Sequence, residues 1–294
     1  MRSGFVSFIG RPNVGKSTLL NSLMTQKIAI TSDKAGTTRN IIQGIYNDSD
    51  YQIVFVDTPG IAKPINRLGK ALNRAALEQI EDVDCVLFVV DGKKGLGPGD
   101  KYILEILKKV ETPVILVINK IDQINRDILM YTINEYKDLF PFAEIVPVSA
   151  MANDNLDRLL SVIKKYLKDE VKYFDDDIVT SSSMSFMVSE IVREKLLNDT
   201  VDEVPHSIAC NCVGYDEKKD IVNILVDIIV DRDSIKKIVI GKNGSRLKKV
   251  GILAREEIEK MLGKKVYIEL YVKTVKNWKE KEKYLLEFGI IDNE

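Results

Sequence analysis

The stretch Gly10-Arg-Pro-Asn-Val-Gly-Lys-Ser-Thr18 fits the spacing G-x-x-x-x-G-K-[ST]. Glycines let backbone N–H groups turn inward around phosphate oxygens, and a helix opening just beyond adds the positive end of its dipole. Gly10, Arg11, Pro12, Asn13, Val14 and Gly15 would therefore line a phosphate cradle that Thr18 completes. Lys16 would reach the β- and γ-phosphates, and the Ser17 hydroxyl would bind Mg²⁺. Asp57-Thr-Pro-Gly60 places a carboxylate at a strand end. There Asp57 would hold Mg²⁺ through water, the Gly60 N–H would meet the γ-phosphate, and Thr58 and Pro59 between them would belong to the nucleotide-binding set.

Asn119-Lys120-Ile121-Asp122 follows another apolar run. A carboxylate at Asp122 can accept two hydrogen bonds from the N1–H and N2–H₂ edge of guanine. Adenine offers no such pair and would leave the carboxylate unpaired. Losing a charged hydrogen bond costs about 1.5–3 kcal/mol, enough to favour GTP over ATP by about tenfold or more. Ser149-Ala150-Met151 would supply a backbone N–H to guanine O6.

A second glycine-lysine loop, Ile240-Gly241-Lys242-Asn243-Gly244, has no G-K-[ST]. Arg246, Lys248 and Lys249 follow it closely. Glycine beside lysine again means phosphate, here the backbone of a single nucleic-acid strand rather than a nucleotide.

These residues need elements to position them. Phe5–Ile9, Tyr51–Val56, Cys85–Val90, Val114–Ile118 and Ile145–Val148 read as buried strands. Ser17–Met24, Leu68–Ile80, Asp100–Val110 and Asn155–Leu167 read as helices. Strands alternating with helices imply an α/β domain, a mostly parallel sheet with helices on both faces. The rhythm then changes to α-β-β-α-α-β: Met184–Asn198, Ser207–Tyr215, Ile221–Val230, Ser234–Ile240, Ser245–Met261 and Val266–Val272. This is a smaller α+β domain, with the second loop between its last two helices. The expected division is residues 1–170, a linker at 171–182 rich in aspartate, and residues 183–294.

Composition agrees with two domains in 294 residues, with 45% apolar residues to fill cores. The net charge of −1 conceals an uneven distribution. Residues 175–235 carry 5 Lys/Arg against 14 Asp/Glu, and residues 236–283 carry 15 against 6. The basic block can meet phosphate; the acidic stretch 199–233 has no evident role. Cys85, Cys210 and Cys212 form no disulfide or zinc framework, and Cys210-Asn-Cys212 reads as two side chains on one face of a strand. His206 is the only histidine, which argues against a His-based triad or metal site. No signal peptide or apolar run of spanning length is read, so the expected compartment is the cytoplasm.

All five motifs of translation-factor-type GTPases are present in order, and the chain resembles that superfamily. The resemblance makes Gly36-Thr-Thr-Arg39 the first switch and Thr38, rather than Thr37, its Mg²⁺ ligand. The segments ordered by GTP would be 28–41 and 58–72. It also makes Lys16, Thr38, Gly60 and Asn13 the catalytic set. One departure is Ile61, where a water-orienting glutamine often stands. Relatives with a Pro-Asn-x-Gly-Lys-Ser loop use the asparagine to hold K⁺ beside the phosphates, which would be Asn13 here.

The second loop and its flanking elements resemble a type II KH domain. Together with Asp33-Lys-Ala-Gly-Thr-Thr-Arg39, Ser189-Glu-Ile-Val-Arg-Glu-Lys195 and Tyr271-Val-Lys-Thr-Val-Lys-Asn-Trp278, the whole chain closely resembles the Era family of ribosome-assembly GTPases. The resemblance implies GTP/GDP exchange, binding to the 3′ end of small-subunit ribosomal RNA, a role in 30S assembly, loose association with the inner face of the membrane, and a monomer. A pure RNA-binding factor that holds GTP but barely hydrolyses it is the alternative. A GTPase of transfer-RNA modification would need a modification domain or a catalytic cysteine, and neither is found.

Overall fold

Strands covered on both faces read as unbroken apolar runs, and the centre of the first sheet follows this pattern. The structure, a computed structural model, describes residues 1–291 and divides into two units. The first comprises Met1–Thr31, Thr38–Ile65 and Gly69–Ser181; the second continues from Ser182 and includes Ser32–Thr37 and Asn66–Leu68.

Unit 1 contains strands β1 (Arg2–Ile9), β2 (Ile42–Asn47), β3 (Tyr51–Asp57), β4 (Cys85–Asp91), β5 (Val114–Asn119) and β6 (Glu144–Pro147). Their order is β2-β3-β1-β4-β5-β6, all parallel except the β2–β3 pair. The helices are α1 (Lys16–Met24), α2 (Arg67–Glu78, in unit 1 from Gly69 onward), α3 (Pro98–Leu107), α4 (Arg126–Lys137) and α5 (Leu156–Ile163). Every residue of β4 and β5 is buried. The motif loops follow β1, β3, β5 and β6 at their carboxyl ends, where open α/β sheets bind ligands.

Two elements depart from the sequence reading. The β2 strand, Ile-Gln-Gly-Ile-Tyr-Asn, is interrupted by glycine and lacks the apolar run of its neighbours. Exposed Ile128, Met130 and Tyr131 blur the amphipathic stripe of α4, although Asn125 caps it by accepting a hydrogen bond from the Ile128 N–H at 2.9 Å.

Residues 168–181 lie along unit 1 as a strap. The Ser3 N–H donates to the Asp169 carbonyl, and the Ile45 N–H donates to that of Val179. Gln52, fully buried, accepts from the N–H groups of Tyr173 and Phe174 at 2.8 and 3.0 Å and donates to the Phe174 carbonyl at 2.8 Å. The expected linker therefore clusters with unit 1 up to Ser181. Gln52→Ala leaves these strap groups without their partner and is expected to destabilise the protein by about 1–3 kcal/mol. Urea unfolding of both proteins measures this, and an unchanged midpoint would remove the clamp from the account.

Unit 2 has the expected order: α6 (Met184–Asp199), β7 (Ile208–Glu217), β8 (Ile221–Val230), α7 (Asp233–Ile240), α8 (Ser245–Leu262) and β9 (Lys265–Thr274), followed by α9 (Glu282–Glu287). β8 is central, antiparallel to β7 and parallel to β9. Its core packs Val222, Ile224, Val226, Ile228 and Val230 against Val188, Val192, Val239, Val250 and Ala254. Cys210 and Cys212 both pack against that core from β7, as period-2 alternation requires. Cys85, Cys210 and Cys212 form no disulfide among the described residues, and burial pushes the Cys85 thiol up to about 12. Among the described residues no helix is long and apolar enough to cross a membrane.

Candidate functional site: a nucleotide pocket and a nucleic-acid groove

In unit 1 the first loop leaves β1 and enters α1 through Gly15, whose φ of 99° is a left-handed conformation that side-chain-bearing residues rarely adopt. Lys16 is buried at the start of α1 and donates to the carbonyls of Gly10 and Arg11 at 3.2 and 3.3 Å. Burial lowers its pKa to about 8, against the raising effect of Asp57. Burial likewise raises Asp57 to about 6, opposed by Lys16 and by hydrogen bonds led by that from Ser17. The Arg11 side chain turns to Asp100, pairing through Nε at 2.8 Å, so this residue offers the cradle only its backbone.

Three oxygens converge beside Lys16. Ser17 Oγ lies 2.5 Å from Asp57 Oδ2 and 2.8 Å from Thr38 Oγ1. The Thr37 hydroxyl instead donates to the Lys34 carbonyl at 2.7 Å. Asp57 Oδ1 is buried without a hydrogen-bond partner, which a buried carboxylate oxygen rarely tolerates. An all-oxygen set with one unsatisfied carboxylate atom fits a hard divalent cation such as Mg²⁺. Thr58 donates to the Phe8 carbonyl at 2.6 Å and fixes the turn leading through Pro59 to Gly60. A Cβ on Gly60 would come within 2.6 Å of the Pro12 nitrogen. Ile61 is 1% exposed and packs in the core, so its side chain cannot orient a water.

At the base end, buried Asn119 braces two loops. Its amide donates to the Val14 carbonyl at 2.9 Å, and its oxygen accepts from the Lys120 and Ala150 N–H groups at 2.8 and 3.0 Å. The Ala150 N–H is thus already engaged, whereas that of Met151 has no hydrogen bond among the described residues. Lys120 donates to the Asn13 carbonyl at 2.7 Å and to Asp91 at 2.8 Å. Asp122 is exposed and accepts from the Ser149 hydroxyl at 2.6 Å.

In unit 2 the second loop turns between α7 and α8. Gly241 has φ 75° and ψ 173°, and a Cβ there would come within 2.8 Å of Arg246 Cβ. Two concave surfaces flank the start of α8. One, a groove of about 460 Å³, is lined by Gly244, Leu247, Lys248, Ile252 and Arg255 of the loop and α8, and by Tyr267, Ile268 and Leu270 of β9. Apolar walls with cations at the edge suit unstacked bases and a phosphate backbone. The other, about 610 Å³, carries Lys237, Lys242, Ser245, Arg246, Lys249 and Asp199. The sequence placed Lys248 in the RNA site but not Arg255 or Tyr267; only the pairing of β9 with β8 brings the latter beside α8.

The acidic stretch gains a role. Asp199 pairs with Arg246 and Lys249, Glu217 with Lys264, Asp227 with Lys273 and Asp231 with Lys279. Five of the fifteen Lys/Arg of the basic block are thereby paired with the acidic stretch. Lys242, Lys248 and Arg255 make no ion pair among the described residues. Replacing both Lys248 and Arg255 by Gln is expected to weaken single-stranded RNA binding and to lower its salt slope by about two. Filter binding across a salt series checks this, and an undiminished slope would take the backbone out of this groove.

Comparison with known proteins agrees with this two-part reading. Residues 5–120 match the family model described as a 50S ribosome-binding GTPase, and residues 203–279 match that of the KH domain. A variant of Aquifex aeolicus Era bound to GDP·AlF4⁻ is 42% identical with a TM-score of 0.95, over 99% of both chains. Era in complex with MgGDPNP and nucleotides 1506–1542 of 16S ribosomal RNA is 41% identical with a TM-score of 0.96, again over 99% of both chains. With its phosphate loop in an α/β unit, its GxxG loop in a KH unit and this similarity along nearly its whole length, the chain belongs to the Era family of GTPases.

Proposed function

We propose that this chain is a GTP-hydrolysing switch that binds the 3′ end of small-subunit ribosomal RNA and assists maturation of the 30S subunit. The observation that carries it is the convergence of Ser17, Thr38 and Asp57 beside buried Lys16. Ser17 and Thr38 would hold Mg²⁺ directly, and Asp57 would hold it through water. The ion supplies positive charge to the β- and γ-phosphate oxygens. Lys16 adds charge from the cradle floor, Gly60 offers its N–H, and Asp122 and Met151 read guanine. The RNA reading is supported by the groove beside α8 and by the 16S fragment bound to an Era protein 41% identical over 99% of this chain. The 50S description belongs to a model that ends at residue 120 and does not bear on unit 2. The protein would act as a cytoplasmic monomer, and the inner-membrane association implied by the family is a separate expectation that cell fractionation tests.

Single-turnover hydrolysis of labelled GTP tests the enzyme. With buried Ile61 and no supplied arginine, the unstimulated rate is expected at about 10⁻⁴–10⁻² s⁻¹, rising when 16S 3′-end RNA is added. Absence of Mg²⁺-dependent hydrolysis under both conditions would leave a GTP-holding RNA factor. If Asn13 holds K⁺, exchanging KCl for NaCl at fixed ionic strength lowers the rate, and Asn13→Ala removes the difference. Equal rates in both salts would discard potassium while leaving the GTPase intact.

A further inference from the structure

The larger concave surface beside the second loop does not belong to the base groove. On α8, residues 245, 246 and 249 face it, while residues 247, 248, 251, 252 and 255 face the groove. Its lining sets four cations, Lys237, Lys242, Arg246 and Lys249, against one carboxylate, Asp199. Arg246 is held in place from two sides: Nε donates to Asp199 at 2.9 Å and Nη1 to the Ile238 carbonyl at 2.7 Å. Its Nη2 makes no hydrogen bond among the described residues. The fork is thus immobilised with donors to spare, the arrangement that favours a phosphate. Lys242 at the tip of the second loop belongs to the same lining, so a strand crossing that loop reaches this cavity on leaving the groove.

We infer that this cavity is a second RNA-backbone subsite, taking phosphodiesters beyond the nucleotides clamped in the groove, and that Asp199 attenuates it. The inference rests on the reading of unit 2 as an RNA-binding module. Asp199 fixes Arg246 and Lys249 but places its own negative charge against the incoming phosphate. It thereby limits how tightly a long strand is held, while a short strand confined to the groove does not meet it. A KH loop clamps about four nucleotides, so the subsite contributes only to longer RNA.

The test compares two fluorescein-labelled single-stranded RNAs, one of about four nucleotides and one of about twelve, both copied from the 3′ end of 16S RNA. Each is titrated by anisotropy against the full-length protein. Asp199→Asn is expected to raise the ratio of long-strand to short-strand affinity by about threefold to tenfold and to steepen the salt slope for the long strand by about one. Asp199→Glu, which keeps the charge, should leave the ratio near that of the wild type. Arg246→Gln with Lys249→Gln should lower it by about tenfold, and this variant carries the test if Asp199→Asn does not fold by circular dichroism. An unchanged ratio in the Arg246→Gln/Lys249→Gln protein, or a fall with Asp199→Asn, would overturn the subsite. Wild-type protein that binds the short strand but gains nothing from the longer one would overturn it while keeping the groove. Failure to bind either strand would remove the RNA reading of unit 2, and the subsite with it.

Discussion

Single-stranded RNA is expected to bind the Lys242→Asp/Asn243→Asp protein at least about tenfold more weakly than wild type, with a flatter salt dependence. The loop geometry makes this a substitution of charge rather than of shape. Asn243 sits at φ 53°, a left-handed conformation that aspartate tolerates nearly as well as asparagine. Gly241 and Gly244, which carry the other positive φ values of the turn, are untouched. Lys242 has no ion pair to lose among the described residues, so its removal exposes no orphaned carboxylate. Two carboxylates then stand where phosphodiesters pass. GTP affinity of the free protein is expected to stay the same, because the proposed nucleotide cradle is the loop at residues 10–18. Filter binding of labelled RNA and labelled GTP to one preparation reads both halves. Undiminished RNA binding, or GTP binding lost from a folded variant, would show that the two glycine loops have been given each other's ligands.

The second large effect lies at the base end of the nucleotide pocket. Asp122→Asn is expected to lose GTP affinity by about tenfold or more, since a carboxylate accepting from two guanine donors becomes half donor, at a cost of about 1.5–3 kcal/mol. The same change suits xanthine, whose carbonyl accepts from the new amide, so XTP affinity should rise. The surroundings allow this without rebuilding: Asp122 is exposed, and the Ser149 hydroxyl that donates to it at 2.6 Å can donate equally to an amide oxygen. Competition of GTP and XTP for a fluorescent nucleotide measures the exchange. Unaltered GTP affinity would mean that the base lies elsewhere.

Where the chemistry is local in sequence, the residues themselves disclosed it. The preference for Thr38 over Thr37 came with the family resemblance; in the structure the Thr38 hydroxyl lies beside Ser17 and that of Thr37 turns to the Lys34 carbonyl. The burial of Ile61 follows from an apolar side chain in an otherwise polar switch. What stayed illegible depends on pairing between distant segments. No local pattern tells that Asp199 would meet Arg246 and Lys249, 47 and 50 residues further along, so the acidic stretch looked idle and all the nearby cations looked available. Nor does any pattern show that Asn119, three residues before Asp122 in the same motif, braces the phosphate loop to the Ala150 turn. Strand β2 was hidden because its stability comes from pairing with β3 rather than from its own composition.

The strap at residues 168–181 also determines how this protein can be divided. Strand β2 is the outermost strand of its sheet, and an outermost strand with open N–H and C=O groups invites pairing with another molecule. Here the Ile45 N–H is taken by the Val179 carbonyl, and Gly44 bridges Thr180, whose hydroxyl donates to the Gln43 carbonyl. A GTPase fragment cut at residue 170 would keep every nucleotide motif, yet it would bare that border and strip Gln52 of its Tyr173 and Phe174 partners. Self-association through β2 would then look like a property of the enzyme when it belongs to the cut. A fragment ending at Ser181 carries its own edge protection.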